Sequence, residues 1–434
     1  MSTTRFLTGI TPSGTPHLGN YAGAIRPAVT ASRQPGADNF YFLADYHALI
    51  KCQDPARIHR STLEIAASWL ACGLNPEHVV FYRQSDVPEI PELNWFLTCV
   101  TGKGVLNRAH AYKASQDKNA EAGKDLDDGV TAGLFMYPVL MAADILMFNA
   151  HKVPVGRDQI QHIEMARDMA SSFNHLYGEH FVLPEAAIEE SVATLPGLDG
   201  RKMSKSYDNT IPLFAPRNEL KKLISSIVTD SRAPGEPKDT EGSALFQLYQ
   251  AFSTPEETET MRQAFANGIG WGEAKAMLFE RVDAELSPMR ERYEDLMAHP
   301  EKVEAALQMG AERARALSRP FITKLRAAVG LRSLASQDSA QHKVKTAKAA
   351  LPSFKQYRES DGKFYFKFMA ADGQLLLQST GFEQPKQAGQ SIAQLQQQGA
   401  AALTALAAML QLVDGVAHSD VEHALHTLQE AAKA

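Results

Sequence analysis

Thr11-Pro12-Ser13-Gly14-Thr15-Pro16-His17-Leu18-Gly19-Asn20 is the segment on which the architecture turns. The apolar run Phe6-Leu7-Thr8-Gly9-Ile10 precedes it and predicts a buried strand. Proline and glycine then force a turn. From His17 onward the residues fit the first turn of a helix. A strand, a Gly/Pro turn and a helix start are how an α/β protein aims backbone N–H groups at a phosphate. Gly19 has no side chain, so a nucleobase or a ribose can lie on the backbone there. His17 stands where it can donate to a phosphate oxygen. By itself the segment also fits a plain glycine-rich turn with a solvent-facing histidine.

A second segment shifts the balance. Arg201-Lys202-Met203-Ser204-Lys205-Ser206 follows the loop Leu195-Pro196-Gly197-Leu198-Asp199-Gly200. A glycine-containing loop bearing two lysines and two serines can close over a triphosphate and bring ammonium groups to its leaving end. Here the residues resemble a known family. The first segment resembles the "HIGH" signature of class I aminoacyl-tRNA synthetases, with His17, Gly19 and Asn20 at the matching places. The second contains the "KMSKS" signature letter for letter. Between them, Tyr137-Pro138-Val139-Leu140-Met141-Ala142-Ala143-Asp144-Ile145-Leu146 and Val153-Pro154-Val155-Gly156-Arg157-Asp158-Gln159 resemble segments of the tryptophanyl-tRNA synthetases. The resemblance runs from about Arg5 to Gly330.

The resemblance implies a two-step ligase that activates L-tryptophan with ATP and passes it to tRNA(Trp). His17, Lys202 and Lys205 are then the catalytic residues. Thr11, Pro12, Ser13, Gly19, Asn20, Gly156, Arg157, Asp158, Leu195, Met203, Ser204 and Ser206 join them around ATP. Mg²⁺ rides on the nucleotide phosphates, with no protein ligand. A symmetric homodimer is also implied. Two positions depart from the family pattern: Thr11 stands where glutamine is frequent, and Leu7 where an aromatic often packs on the indole.

Strands at Phe40–Ala44 and Val79–Arg83 alternate with helical patterns at Arg57–Ala71 and Pro88–Val100. Such alternation predicts a doubly wound parallel sheet, a Rossmann-like α/β domain over residues 1–215. Ligands of these sheets lie at the carboxyl ends of strands, where the candidate residues fall. Residues 116–128 read as a polar, mobile excursion. The family places a triphosphate-holding lysine in this region, and Lys113, Lys118 and Lys124 all remain open for that role. Residues 216–332 read as an all-helical tRNA anticodon-binding domain. It ends in a basic helix whose Arg313 and Arg315 are candidate tRNA contacts. Residues 333–352 read as a Ser/Gln/Lys/Ala linker, and 353–434 as a small α+β extension. In it, Asp372-Gly373 between two apolar runs signals a hairpin. An accessory tRNA contact and a structural appendix both stay open for this extension.

Asp144 is the most informative single residue. Tyr137, Met141, Asp144 and Ile145 fall at i, i+4, i+7 and i+8, on one otherwise apolar helix face. A carboxylate there is costly unless something donates to it. The donor is either a lysine or arginine elsewhere or a ligand N–H, and in tryptophanyl enzymes the matching aspartate takes the indole N–H. Val153, Val155, His47 and Gln159 would then complete the tryptophan pocket. Asp158 reads as a helix N-cap, a nucleotide contact or both. His162 reads first as a packed helix histidine.

Composition sets outer limits. The net charge is −6 and the pI about 6.2, so any RNA contact needs a local basic patch. Cys52, Cys72 and Cys99 form no C-x-x-C pair, which speaks against a metal cluster and fits a reducing compartment. The most apolar run, 133–143, stops at Asp144, too short to span a bilayer, and no secretory signal opens the chain. No membrane contact and a cytoplasmic location are therefore expected. A tyrosyl-tRNA synthetase, a small-molecule nucleotidyltransferase and a catalytically dead tRNA-binding paralogue are the rival readings.

Overall fold

Successive residues of the first strands part to opposite faces, as a period of two requires. Leu7, Phe40, Phe42, Val80 and Tyr82 enter one core, and Ile10, Tyr41, Leu43 and Phe81 enter the other. The computed structural model describes residues 3–12, 14–188, 194–331, 351–413 and 415–433. Ser13, Arg332 and positions 333–350 of the expected linker lie outside them.

Five parallel strands build the first sheet: β1 (Thr4–Ile10), β2 (Ala37–Leu43), β3 (Val80–Arg83), β4 (Lys152–Val155) and β5 (Glu185–Ile188). Their order is β3-β2-β1-β4-β5. The chain leaves β1 in one direction to lay down β2 and β3, then returns to add β4 and β5 on the other side. This order reverses between β1 and β4, where a doubly wound sheet opens its ligand crevice. The two strands register at Phe6 and Lys152, away from their carboxyl ends. Helices Glu89–Val100, Ala132–Met147 and Ile160–Tyr177 cover one face. Pro55–Ala71, Ala244–Phe252 and Trp271–Ala298 cover the other.

The helices beyond Arg217 pack onto this sheet, so that Met1–Arg332 forms one compact unit. β3 is an edge strand, and helix Pro300–Ala328 lies against it, protecting the edge from stray pairing. The contact is intimate: a Cβ added at Gly310 would stand 1.7 Å from the Phe81 carbonyl oxygen. The excursion expected at 116–128 is instead half helix, His110–Glu121. Asn119 closes the turn that follows by donating to the carbonyls of Leu126 (3.0 Å) and Asp128 (2.8 Å). Among the described residues no helix is long and apolar enough to cross a membrane.

The second unit, Ser333–Ala434, carries an antiparallel sheet of β6 (Ser353–Arg358), β7 (Phe364–Met369), β8 (Leu375–Ser379) and β9 (Leu410–Leu412), paired in that order. Gly373, at φ +87°, makes the hairpin turn that Asp372-Gly373 signals. Phe366, Phe368 and Leu377 point from one face into a core shared with helices Pro385–Gln398 and His418–Lys433.

Gly310→Ala is expected to lower stability by at least about 2 kcal/mol, because a backbone carbonyl cannot swing aside as a side chain can. Thermal unfolding checks this, and an unchanged midpoint would contradict the close packing of this helix on β3.

Candidate active site

Backbone pairing brings the two signature segments together. Leu18 N–H donates to the Ile211 carbonyl at 3.0 Å, and Leu213 N–H donates to the Pro16 carbonyl at 2.9 Å. His17 and Pro212 thereby form an antiparallel bridge. His17 also caps its own short helix. Its Nδ1 accepts from Asn20 N–H at 3.3 Å, while Asn20 Oδ1 accepts from His17 N–H at 3.1 Å. Burial, reinforced by the charge of Lys205, lowers the His17 pKa to about 4. The ring is therefore neutral, and with Nδ1 accepting, its proton sits on Nε2, free to donate outward. Gly19 makes room for this ring: a Cβ there would stand 3.1 Å from it. That close approach is a second reason for a glycine at this place.

The second segment is anchored by what lies between its lysines. Met203 is buried in the core, and its N–H donates to the Leu195 carbonyl at 2.8 Å. Asn209 ties the loop together: its amide donates to Asp199 at 2.6 Å and to the Lys202 carbonyl at 3.1 Å, and its Oδ1 accepts from Ser204 N–H at 2.8 Å. Lys202 and Lys205 are left to line a cavity of about 750 Å³. Thr11, Gly14, Asn20, Gly156, Arg157 and Asp158 line the same cavity. Burial lowers the Lys205 pKa, and Glu64 opposes the shift. Among the described residues, the other expected nucleotide contacts do not line this cavity: His17 and Pro12 are buried, Gly19 is half-buried, Leu195 and Met203 serve as core, and Ser204 and Ser206 form the turn that follows.

A second cavity, of about 660 Å³, adjoins the first across Gly9, Thr11, Pro154, Val155, Gly156 and Asp158. All eight residues expected around tryptophan line it: His47, Tyr137, Met141, Asp144, Ile145, Val153, Val155 and Gln159. Asp144 is fully buried. Its partner is neither a lysine nor an arginine. Gln84 Nε2 donates to its two oxygens at 2.8 and 3.0 Å, and His47 Nε2 lies 3.0 Å from Oδ2. Burial raises its pKa, and the bonds from His47 and Gln84 pull it back. A carboxylate offers about four acceptor positions, so a fourth donor can still be received. Gln84 is itself held, its Oε1 accepting from Tyr46 N–H at 3.1 Å. Sequence reading missed Gln84. The available signal was a polar residue directly after the buried strand β3, the place His47 holds shortly after β2.

The polar wall opposite is a chain of bonds. Gln159 Nε2 donates to Asp158 at 2.7 Å, which leaves its Oε1 to accept from His162 Nδ1 at 3.0 Å. His162 Nε2 then accepts from the Tyr137 hydroxyl at 2.5 Å. His162 is thus a cavity residue and not merely a packed one. Asp158 does not cap the following helix, Ile160–Tyr177, whose N-cap is Gln159.

Other expected contacts fall elsewhere. Lys113 and Lys118 are exposed, Lys124 pairs with Asp128 at 2.8 Å, and none of the three lines either cavity. Arg313 is turned inward, donating to the carbonyls of Pro76, Glu77 and Val79 at 2.9, 3.2 and 2.8 Å. Arg315 pairs with Glu89 at 3.0 Å. Both guanidinium groups hold helix Pro300–Ala328 in place, so they do not stand free for a phosphate. Among the described residues no three His, Cys, Asp or Glu side chains converge to hold a metal ion.

Comparison with known proteins agrees with this geometry. The family model described as "tRNA synthetases class I (W and Y)" matches residues 1–287. A "Tryptophan--tRNA ligase" of Xanthomonas campestris is 71% identical over 393 residues, covering 90% of this chain and 91% of the relative. One from Xylella fastidiosa is 64% identical over 430 residues, covering 98% of each chain. Among solved structures, tryptophanyl-tRNA synthetase from Campylobacter jejuni, complexed with ADP and tryptophan, superposes with a TM-score of 0.70 at 44% identity. It covers 76% of this chain and 100% of its own. Residues 359–405 match a domain of unknown function, DUF1508.

The His17 assignment is open to direct measurement. In an NMR titration, the imidazole resonance that vanishes in His17→Gln should keep its neutral shift until the pH nears 4. Its folded pKa lies below the unfolded value of 6.5, so the folded state resists protonation. The group therefore subtracts stability as pH falls from 6.5 toward 4 and adds no pH dependence above that range. A ring that titrates near 6.5 would overturn the buried, neutral assignment.

Proposed function

The chain belongs to the class I tRNA synthetases of the tryptophan and tyrosine branch, and from that premise we infer which residues carry each step of its reaction. The activity is tryptophan–tRNA ligation: ATP activates L-tryptophan to the adenylate with release of pyrophosphate, and the tryptophanyl group then passes to the 3′ end of tRNA(Trp). One observation carries the residue assignments. A cavity ending on a buried aspartate opens directly into a cavity lined by two lysines.

In the first step a carboxylate oxygen of tryptophan attacks the α-phosphorus. The bond from that phosphorus to the bridging oxygen breaks, and pyrophosphate leaves. Phosphoryl-transfer chemistry of this kind needs positioning and charge stabilisation more than a covalent partner. Lys202 and Lys205 meet the charge that develops on the leaving end. His17, buried beside this cavity and neutral, would donate from Nε2 to the phosphates. A magnesium ion would be held by the nucleotide's own oxygens, in a cavity whose wall carries Arg157, Lys202 and Lys205 beside the Asp158 carboxylate. When bound, that ion supplies further positive charge on the phosphates.

Asp144 accepts the indole N–H at its remaining position, while His47 and Gln84 favour its charged form against burial and hold it aimed. Such a site rejects side chains that lack the N–H, because an unpaired buried carboxylate is costly. Met141, Ile145, Val153 and Val155 enclose the ring, and Gln159 and Tyr137 face the amino group. In the second step the terminal ribose hydroxyl of tRNA attacks the activated carbonyl and AMP leaves. The helical region 216–332 is the part that reaches the anticodon end. A homodimer and a cytoplasmic setting, where tRNA is charged and used, complete the reading.

ATP–pyrophosphate exchange with tryptophan and tyrosine side by side tests the choice of amino acid. Exchange with tyrosine alone would overturn it. Lys205→Ala should slow exchange about a hundredfold, the loss of one well-placed donor, with tryptophan affinity nearly unchanged. A wild-type rate in that variant would remove Lys205 from the chemistry. Asp144→Ala should erase the preference for tryptophan over other aromatic amino acids, and retained selectivity would refute the indole contact.

A further inference from the structure

The second unit carries a surface that the reaction above does not use. Its four-stranded sheet has helices against one face only. Strand register places Lys355 opposite Lys367, Lys367 opposite Gln378, and Gln378 opposite Gln411. These four side chains make a row across the other face. Tyr357 and Tyr365 pair in the next row on that face, stacked at 5.8 Å with rings 22° apart. All six residues are exposed or half-exposed.

Two features of this face call for a ligand. Like charges directly opposite one another across strands are destabilising. Yet Lys355 and Lys367 face each other, and among the described residues neither forms an ion pair. Lys367 Nζ lies instead 4.7 Å from the centre of the Tyr357 ring. The Tyr357 hydroxyl, meanwhile, is shielded from solvent and has no hydrogen-bond partner. The acids nearest the aromatic row, Glu359 and Asp361, sit in the turn between β6 and β7. Asp361 accepts from the Tyr365 hydroxyl at 2.7 Å and fixes that ring. The face therefore runs from an acid-bounded aromatic end to a cationic row flanked by amides.

We propose that this open sheet face binds unpaired nucleotides of RNA, with bases stacking on Tyr357 and Tyr365 and phosphates meeting Lys355 and Lys367. Sheet-borne aromatics that stack bases, with cations alongside for the backbone, are a general solution for single-stranded RNA. The amides of Gln378 and Gln411 can donate to and accept from base edges. A protein partner would want aliphatic surface where this row offers lysine and glutamine. The RNA in question is the enzyme's own substrate, so the proposal rests on the tRNA-ligase reading.

The test uses the full-length chain. Lys355→Glu/Lys367→Glu and, separately, Tyr365→Ala are compared with wild type for binding of a tRNA(Trp) transcript and of an unstructured RNA oligonucleotide, by fluorescence anisotropy across a salt series. The double charge reversal should weaken both about tenfold and flatten the salt slope by about two. Tyr365→Ala should weaken both about tenfold with the slope retained. The KM for tRNA should rise in parallel while tryptophan-dependent pyrophosphate exchange stays at the wild-type rate. Unchanged affinity and slope in variants with an unchanged unfolding midpoint would overturn the proposal. So would a change in molecular mass by light scattering without a change in RNA affinity, which would assign the face to a second copy of the chain. Loss of exchange in the wild type would instead indict the ligase reading. Lys355→Gln/Lys367→Gln guards against misfolding, since removing the repulsion should not lower the midpoint, and its RNA affinity should fall as well.

Discussion

The antiparallel bridge between His17 and Pro212 is the contact on which the catalytic geometry depends. Two backbone hydrogen bonds flank it and join segments almost two hundred residues apart. Buried backbone donors and acceptors must find partners, so the pairing is strongly specified. It places the helix start that carries His17 beside the loop that carries Lys202 and Lys205. Met203 extends the same logic. Between two lysines that face the cavity, an apolar side chain reaches into the core and holds the loop from below. The signature thus alternates anchor and charge, and the anchor determines where the charge can go.

The electrostatics follow from this placement. A second positive charge at His17 would add to the repulsion already set up by the lysines. Burial and Lys205 together keep the imidazole neutral, so it offers a proton without adding charge. Glu64 sits behind Lys205 and is tied down by Thr15 (2.9 Å) and Arg60 (2.7 Å). It favours the charged amine against burial. The cavity that ends on Asp144 applies the opposite design. There a single carboxylate is buried, and an amide and an imidazole hold it. A lysine or arginine in their place would satisfy the charge fully and leave no reason for a ligand N–H to bind.

Much of this was legible in the sequence because it lives in local pattern. Strand-helix alternation marked β1 to β4, the signatures marked segments that meet at the lysine-lined cavity, and helix periodicity put Tyr137, Met141, Asp144 and Ile145 on one face. What escaped is long-range. Gln84 meets Asp144 only because helix Ala132–Met147 packs on the sheet face that Val80 and Tyr82 of β3 enter, and no periodicity within either segment reveals that. The bridge at Pro212 carries no motif of its own. The 116–128 region looked structureless because its helix, His110–Glu121, has little apolar stripe to betray it. In the second unit, Asp372-Gly373 announced one hairpin; Asp361-Gly362, in the turn between β6 and β7, was an equal signal left unread, and only β9 is reached without such a dipeptide.

The fate of the basic residues carries the broadest lesson. Helix Pro300–Ala328 looks like an RNA-binding element when only its own arginines are counted. In the folded unit Arg313 is bound to three carbonyls, Arg315 and Arg319 face Glu89, and Arg326 pairs with Glu92. Those cations serve to fasten the helix to the sheet domain, and turning them outward would strand the carbonyl of buried Val79 and the buried Glu89 carboxylate. Leaving such groups unpaired costs about as much as a phosphate contact returns. In an acidic protein, cations that can meet a nucleic acid are those whose neighbours have made no prior claim on them. By that criterion the cross-strand pair Lys355 and Lys367 is a better phosphate site than the arginine-rich helix, although it holds fewer charges.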